Sequence, residues 1–233
     1  MKITFLSDTH NKHRQCTNDL PGGDLLIHAG DISSMGYEHE IREFCKWFSS
    51  IPGYTHKVFI AGNHDWGFQD NVNKITEILN FYNEFVYIQD SEYIITDNDS
   101  QLKIYGSPWQ PEFHNWAFNL PRSGHQLQNI LNAIPDDTDI LITHGPALGY
   151  LDTSGPPYSI PRLGCELLAK RIEEIKPKIH VCGHIHGGYG YKFNGDTHFI
   201  NASVLNEKYV YTNKPISCEW NSIDNTINFN HIE

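Results

Sequence analysis

The feature that most constrains the fold of this chain is a series of five short apolar runs, each of which ends abruptly in polar residues. The runs are residues 3–6, 25–27, 58–60, 140–142 and 179–182. The polar residues that follow them are Asp8, His10, Asp31, Asn63, His144, His184 and His186. Short runs that are rich in branched side chains and closed by glycine or turn-forming residues are typical of buried β-strands.

Stretches with helical spacing of apolar residues lie between these runs, at residues 38–50, 74–81, 126–134 and 165–175. Strands that alternate with helices predict a layered α/β domain. The segments 85–95, 102–105, 197–200 and 217–230 are predicted as further strands without intervening helices. This arrangement favours a mixed sheet, or two sheets packed together with helices outside. A chain of 233 residues is commonly one domain, so we expect a single domain over residues 1–233.

Composition narrows the range of partners. The net charge is −11, from 28 acidic and 17 basic side chains, which disfavours bulk binding to DNA or RNA. The five cysteines are scattered without a CxxC pair, which favours a reducing compartment over a disulfide framework. We see no apolar run that approaches the length of a membrane span, and Asp8 comes too early for a signal peptide. The expectation is a cytoplasmic globular protein without a membrane partner.

The polar residues after the five runs predict a metal site. Ligands of open α/β sheets bind beyond the carboxyl ends of the strands, so side chains at these positions converge if the strands are neighbours. Imidazole and carboxylate together favour first-row transition metals, and an aspartate can bridge two ions. Each cluster taken singly fits an ordinary helix cap, turn or structural histidine. The ordered set of five instead indicates a dinuclear centre of the kind that hydrolyses phosphate esters.

At this level of detail the chain resembles the calcineurin-like metallophosphoesterase superfamily. The resemblance rests on Asp8-x-His10, Gly30-Asp31, residues 62–65, His144-Gly145 and Gly183-His184-x-His186. Residues 102–109, 116–122, 139–146 and 200–203 further resemble the metallophosphoesterase-domain-containing branch, which includes animal brain phosphodiesterases. The resemblance implies an α/β/β/α sandwich of mixed sheets flanked by helices.

The resemblance also implies roles for individual residues. The first metal ion would be held by Asp8, His10, Asp31 and His186, and the second by Asp31, Asn63, His144 and His184. His64 would contact the phosphate and assist the leaving group, with Asp65 orienting its imidazole. The cofactors would be two divalent or trivalent transition-metal ions, drawn from manganese, iron and zinc.

The expected activity is hydrolysis of phosphodiesters, such as cyclic nucleotides or related small diesters, by a metal-activated hydroxide. A phosphomonoesterase or protein Ser/Thr phosphatase is the alternative among enzymes, and a nucleotide-binding sensor with vestigial catalysis is the alternative among binding proteins. Candidates for substrate contact are Asn63, His64, Trp109, Phe113, Phe118 and Gly145. Trp116, and Tyr158 in the Pro- and Gly-rich segment 153–162, flank the same region. For the aromatic residues the competing interpretation is packing within the fold.

Overall fold

Two six-stranded mixed sheets form the centre of the computed structural model, which describes residues 1–97, 100–154, 162–221, 224 and 226–230. The strands of the first sheet are β1 (Lys2–Leu6), β2 (Gly23–His28), β3 (Tyr54–Phe59), β4 (Val86–Tyr87), β13 (Ile216–Asn221) and β14 (Thr226–Asn230). Those of the second are β5 (Ser91–Asp97), β6 (Ser100–Ser107), β9 (Ile140–Thr143), β10 (Ile179–Cys182), β11 (Gly190–Phe193) and β12 (His198–Asn201). β7 (Gln110–Pro111) and β8 (Asn119–Leu120) form a separate pair.

Each sheet has a parallel centre and antiparallel strands at an edge. The first sheet has the order β14-β13-β1-β2-β3-β4, in which β1 to β4 are parallel. The second has the order β11-β12-β10-β9-β6-β5, in which the four middle strands are parallel. The carboxyl ends of β1, β2 and β3 therefore lie side by side, as do those of β9 and β10.

The strands alternate between two buried faces. Ile3 and Phe5 of β1 face the space between the sheets, where Ile142 of β9 and Val181 of β10 join the same cluster. Leu6 points the other way, into a cluster with the helices that cover the first sheet. Because both faces are covered, the strands consist of continuous apolar runs rather than alternating apolar and polar residues.

Helices cover the outer face of each sheet. They are α1 (Glu38–Ser50), α2 (Gly67–Asp70), α3 (Val72–Leu79), α4 (His125–Asn132) and α5 (Glu166–Ile175), with 3-10 turns at His13–Asp19 and His186–Gly188. Phe44 and Phe48 of α1 pack on Phe59 of the first sheet, with ring centroids 5.3 and 5.9 Å apart. Leu127 of α4 and Leu168 of α5 are buried against the second sheet. None of the helices in these described ranges has the length and apolar character that crossing a membrane demands.

The predicted fold class is confirmed: the layers are helix, sheet, sheet and helix. Two predicted strands are wrong in extent. Residues 85–95 form β4 and β5, which belong to different sheets and are separated by Asp90 in a left-handed conformation (φ 47°). Residues 217–230 form the antiparallel strands β13 and β14 rather than one strand. Within the predicted loop 153–162, residues 155–161, including Tyr158, lie outside the described residues.

Candidate metal centre

The loops that follow the parallel strands are joined to one another by backbone contacts. The amide of Asp8 donates to the carbonyl of Gly30 at 3.0 Å, which joins the loops after β1 and β2. The amide of Gly183 donates to the carbonyl of His144 at 2.9 Å, which joins those after β10 and β9. A parallel bridge between Ser7 and Ser203 links the two sheets. These contacts bring the polar residues of both sheets to one rim.

The polar side chains form two groups that meet at one aspartate. In the first metal group, donor atoms of Asp8, His10 and His186 lie within 4.8 Å of one another. In the second metal group, the same holds for donor atoms of Asp31, His144 and His184. Asp31 Oδ2 lies 3.5 Å from His10 Nε2 and 3.3 Å from His144 Nε2. Its carboxylate is therefore placed between the two groups, as a bridging ligand must be.

Asn63 and His64 lie beside these groups. Asn63 Oδ1 is 3.0 Å from His144 Nε2 and the residue is buried, so its amide oxygen faces the second group. A donor nitrogen of His64 lies within the same 4.8 Å limit of His10 and Asp31. The amide of His64 also donates to Asp31 Oδ1 at 2.8 Å. The structure thus brings together all seven residues that the sequence predicted as ligands.

Backbone carbonyls orient three of the imidazoles. Nδ1 of His10, His144 and His186 lies 3.2, 2.9 and 3.0 Å from the carbonyl oxygens of Ser33, Ala29 and Asn206. When Nδ1 donates its proton to a carbonyl, the lone pair on Nε2 is free to bind a metal ion. His10 Nε2 is buried and has no hydrogen-bond partner, although a lone pair normally requires one. These donors therefore fit transition-metal ions.

The charges of the site favour the binding of cations. Burial raises the pKa of Asp8, but its hydrogen bond to His186 and the positive charge of that ring bring the pKa below its usual value. Burial lowers the pKa of His144 and of His186, and the neighbouring carboxylates Asp31 and Asp8 overcome it, raising the pKa of each imidazole to about 9. Protonation of these two rings thus supplies positive charge beside the carboxylates, and bound metal cations would supply that charge instead.

Four of the candidate ligands have a strained backbone. Asp8, His10, Asp31 and His184 have φ values of 55°, 39°, 54° and 65°, a region that side chains with a Cβ rarely adopt. Such conformations persist where the surrounding contacts impose them, and they cluster at functional sites.

Two glycines allow the backbone to approach the ligands closely. A Cβ at Gly183 would lie 2.1 Å from Asp8 Oδ2, and a Cβ at Gly62 would lie 2.3 Å from Asp31 Oδ1. Any larger residue would displace a carboxylate of the site, so glycine is required at both positions by space.

The prediction that Asp65 contacts and orients the His64 imidazole is wrong. His64 Nδ1 lies 2.8 Å from the carbonyl of Ser34, which orients the imidazole in place of Asp65. The Asp65 carboxylate accepts hydrogen bonds from the amides of Ile32, Ser33 and Gly62 and from the Ser33 hydroxyl. Burial, together with the nearby charge of Asp31, raises the pKa of Asp65 to about 7. Asp65 therefore fastens the loops after β2 and β3 to each other.

A cleft of about 370 Å³ opens beside the metal ligands. Phe113 and Gly145, both expected at the substrate, line it together with His184, His186 and Tyr209. Its wall is partly apolar and partly polar, as small-molecule sites are.

Two of the aromatic residues expected at the substrate pack within the fold. Phe118 is fully buried, so the prediction that it contacts substrate is wrong. Trp109 packs edge-on against Phe118 at 5.3 Å and donates its indole N–H to Asp90 at 2.7 Å. Trp116 instead stacks on His64, with ring centroids 4.1 Å apart. Phe118 and Trp109 therefore pack within the fold, whereas Trp116 packs against His64 of the site.

Three residues between β12 and β13 contact the site but were not predicted from the sequence. The Ser203 hydroxyl lies 2.7 Å from Asp8 Oδ2, to which it donates. The carbonyl of Asn206 holds His186, and the ring of Tyr209 lies 4.9 Å from that of His10. Ser203 belongs to a stretch that the resemblance had marked, so that signal was available; Tyr209 follows no apolar run and belongs to no motif.

Comparison with known proteins places these features in a family. A calcineurin-like phosphoesterase family model matches residues 1–188. Metallophosphoesterase domain-containing protein 1 of Homo sapiens, and that of Mus musculus, is 41% identical over 236 residues, which covers 92% of this chain and 69% of the relative. The UPF0046 protein T07D4.2 of Caenorhabditis elegans is 35% identical, covering 93% of this chain and 59% of its own length.

Solved structures share the fold at low sequence identity. TT1561 of Thermus thermophilus has a TM-score of 0.63 at 12% identity, covering 100% of this chain and 99% of its own. A phosphatase from Mycoplasma pneumoniae has a TM-score of 0.53 at 13% identity, covering 97% of this chain and 90% of its own. At these identities the likeness concerns the fold alone.

Proposed function

The chain belongs to the calcineurin-like phosphoesterase family, and from that premise we propose that it is a phosphodiesterase that uses two transition-metal ions to hydrolyse small diesters such as cyclic nucleotides. The observation that carries the proposal is the position of Asp31, whose Oδ2 lies within 3.5 Å of an imidazole nitrogen from each donor group. Phosphate-ester hydrolysis commonly uses two ions about 3.5–4 Å apart, which a shared carboxylate provides.

The two ions, when bound, supply polarisation of the phosphoryl oxygens and activation of water at neutral pH. Asp31 and the two donor groups hold that charge in a fixed position. The Ser34 carbonyl holds His64 at Nδ1 and Trp116 stacks on its ring, which supports a role for Nε2 at the phosphate. As the oxygen of water forms its bond to phosphorus and the P–O bond to the leaving group breaks, His64 would give a proton from Nε2 to the leaving ester oxygen.

The cleft supports a small substrate. Its volume of about 370 Å³ is within the range of small-molecule sites and suits a nucleotide-sized ligand. The net charge of −11 disfavours long nucleic acids, which carry many phosphates. Mixed histidine, carboxylate and amide ligation suits manganese, iron and zinc. All five cysteines are buried and free, which supports the reducing conditions of the cytoplasm.

A substrate panel tests the proposal. Protein loaded with Mn²⁺ is offered bis(p-nitrophenyl) phosphate, p-nitrophenyl phosphate, cyclic AMP, cyclic GMP and a phosphopeptide. We expect turnover of the diesters to exceed that of the monoester and the phosphopeptide. Preference for the monoester or the phosphopeptide would assign a phosphatase instead, and tight nucleotide binding without turnover would assign a sensor.

The His64→Ala variant tests the role of the imidazole. Because the metal groups keep their own ligands, the variant should retain metal by elemental analysis and lose turnover by about 10²–10⁴-fold, the usual contribution of a general acid. His125→Ala is the matched control, since His125 is an exposed histidine at the start of α4. Equal rates for the two variants would exclude a catalytic role for His64.

A further inference from the structure

A tight turn between β12 and β13 lies against the metal groups, although it follows the part of the chain that the family model matches. The amide of Asn206 donates to the carbonyl of Val210 at 2.9 Å, and the amide of Tyr209 donates to the carbonyl of Asn206 at 2.8 Å. The side-chain oxygen of Asn206 accepts the amides of Lys208 and Val210. The turn is therefore held by its own backbone and by the Asn206 side chain, and the Asn206 carbonyl connects it to His186 Nδ1.

Tyr209 occupies a strained position in this turn. Its φ is 57°, in the left-handed region, where a bulky residue is an outlier. Lys12 Nζ contacts the carbonyl of Tyr209, and the Asn206 contacts on either side over-determine the conformation. Glycine or asparagine adopts such a position at less cost. A strained aromatic residue held in place by its surroundings indicates a functional constraint on the side chain.

The side chain of Tyr209 faces the site. Its ring centroid lies 4.9 Å from that of His10, 5.1 Å from that of His186 and 6.4 Å from that of His64. The residue lines the cleft and remains 42% exposed. The strained backbone thus places a large planar surface beside the first metal group without burying it.

Phe113 is the corresponding aromatic beside the second metal group. Its ring centroid lies 6.3 Å from that of His184, it lines the same cleft, and it is 53% exposed. Exposed aromatic rings beside both groups offer stacking surfaces for a planar part of a ligand, and nucleobases bind to proteins in this way.

We propose that Tyr209 is a specificity-determining residue that, together with Phe113, binds the nucleoside part of a diester substrate by stacking. This inference rests on the proposed function, because it names the group that the substrate carries beside its phosphate. The contribution of Tyr209 comes from its ring, so phenylalanine should replace it and asparagine should not.

The test compares two chromogenic diesters with the same leaving group. These are the p-nitrophenyl ester of thymidine 5′-monophosphate and methyl p-nitrophenyl phosphate, and the ratio of their kcat/KM values isolates the nucleoside. In Tyr209→Asn the ratio should fall about tenfold, mainly through KM, since stacking on one aromatic ring contributes about that factor. Tyr209→Phe should keep the wild-type ratio. Metal content should not change in either variant.

Controls separate stacking from structure. Asparagine tolerates a left-handed backbone, so Tyr209→Asn should melt no lower than the wild type. Val210→Asn changes the adjacent residue, which is 51% exposed, and should leave the ratio unaltered. Affinity for thymidine 5′-monophosphate, measured by calorimetry on manganese-loaded protein, should weaken about tenfold in Tyr209→Asn.

The outcomes distinguish this inference from the proposed function. If the wild type hydrolyses neither diester, the proposed function fails, and the calorimetric comparison still decides the role of Tyr209. If the wild type hydrolyses both and the ratio is unchanged in Tyr209→Asn, the stacking role is wrong. Equal losses for both diesters, accompanied by loss of metal, would make Tyr209 a cover for His10 and His186 and would overturn the proposal.

Discussion

Binding of metal ions should release about two protons from the imidazole rings of the site at a pH near 7.5, and this number follows from the charges around those rings. In the metal-free protein the carboxylates Asp31 and Asp8 raise the pKa of His144 and His186 to about 9 against the opposing effect of burial, so both rings are protonated at this pH. Burial lowers the pKa of His10 to about 4 and that of His184 to about 3, so these two rings are already neutral. Metal binding requires neutral imidazole, so only the first pair gives up protons.

The pH dependence has a definite sign. The part of the release that comes from the His144 and His186 rings should stay near two protons below the raised pKa values, fall to about one near pH 9, and approach zero above it. Ionisation of water at the metals would give the opposite trend, with a release that rises with pH. The same raised values mean that protonation of His144 and His186 stabilises the metal-free fold fully below about pH 6.5, and that this contribution is lost as the pH rises through about 9.

Calorimetry measures the release directly. Mn²⁺ is titrated into metal-free protein in buffers of different ionisation enthalpy, and the slope of observed enthalpy against buffer enthalpy gives the number of protons. Thermal melts of the metal-free protein at pH 7 and pH 9.5 provide the second measurement, and the melting temperature should fall at the higher pH. A release below about one proton near pH 7.5, or one that increases up to pH 10, would refute the assignment of the two rings.

Three further changes test the site. Asp31→Asn should reduce bound metal, measured by elemental analysis, and lower kcat by about 10³-fold or more, because both groups lose a charged ligand; normal metal content would contradict the bridging role. Ser203→Ala removes the 2.7 Å contact to Asp8 and should weaken metal binding by about 10–100-fold, whereas Ser203→Thr should keep the wild-type affinity. Equal metal affinities of Ser203→Ala and the wild type would show that Ser203 has no positioning role. Gly183→Ala should destabilise the fold by about 1–3 kcal/mol in urea unfolding, because the added Cβ would lie 2.1 Å from the Asp8 carboxylate; an unchanged midpoint would show that the loop has room to move.

The candidate metal ligands were accessible to sequence reasoning because their signal is local. Asp8 lies two residues after the apolar run 3–6, and the carboxyl ends of parallel strands must meet at one edge of their sheet. The division of His184 and His186 between the two groups came only from the family resemblance, because the residues by themselves leave it open. Side chains two positions apart on a strand share a face. His184, however, has a φ of 65° and the chain then enters a 3-10 turn, so the rings of His184 and His186 diverge.

The residues that orient the ligands were beyond the reach of the sequence. The partners of His64 and His186 are the backbone carbonyls of Ser34 and Asn206, and every residue has a carbonyl, so residue type carries no information about this role. For Asp65 the sequence suggested a contact that does not form. Asp65 is adjacent to His64 in the chain, but its carboxylate accepts hydrogen bonds from the amides of Ile32, Ser33 and Gly62.

The sequence by itself determined that the five apolar runs are buried strands and which polar residue types follow them, because these depend on the order of apolar and polar residues along short segments. Only the tertiary structure decided how far Asp31 lies from each group and that the turn at Tyr209 lies beside them. Both depend on how distant segments meet across two sheets, and that geometry is set by packing of the whole domain rather than by any local pattern.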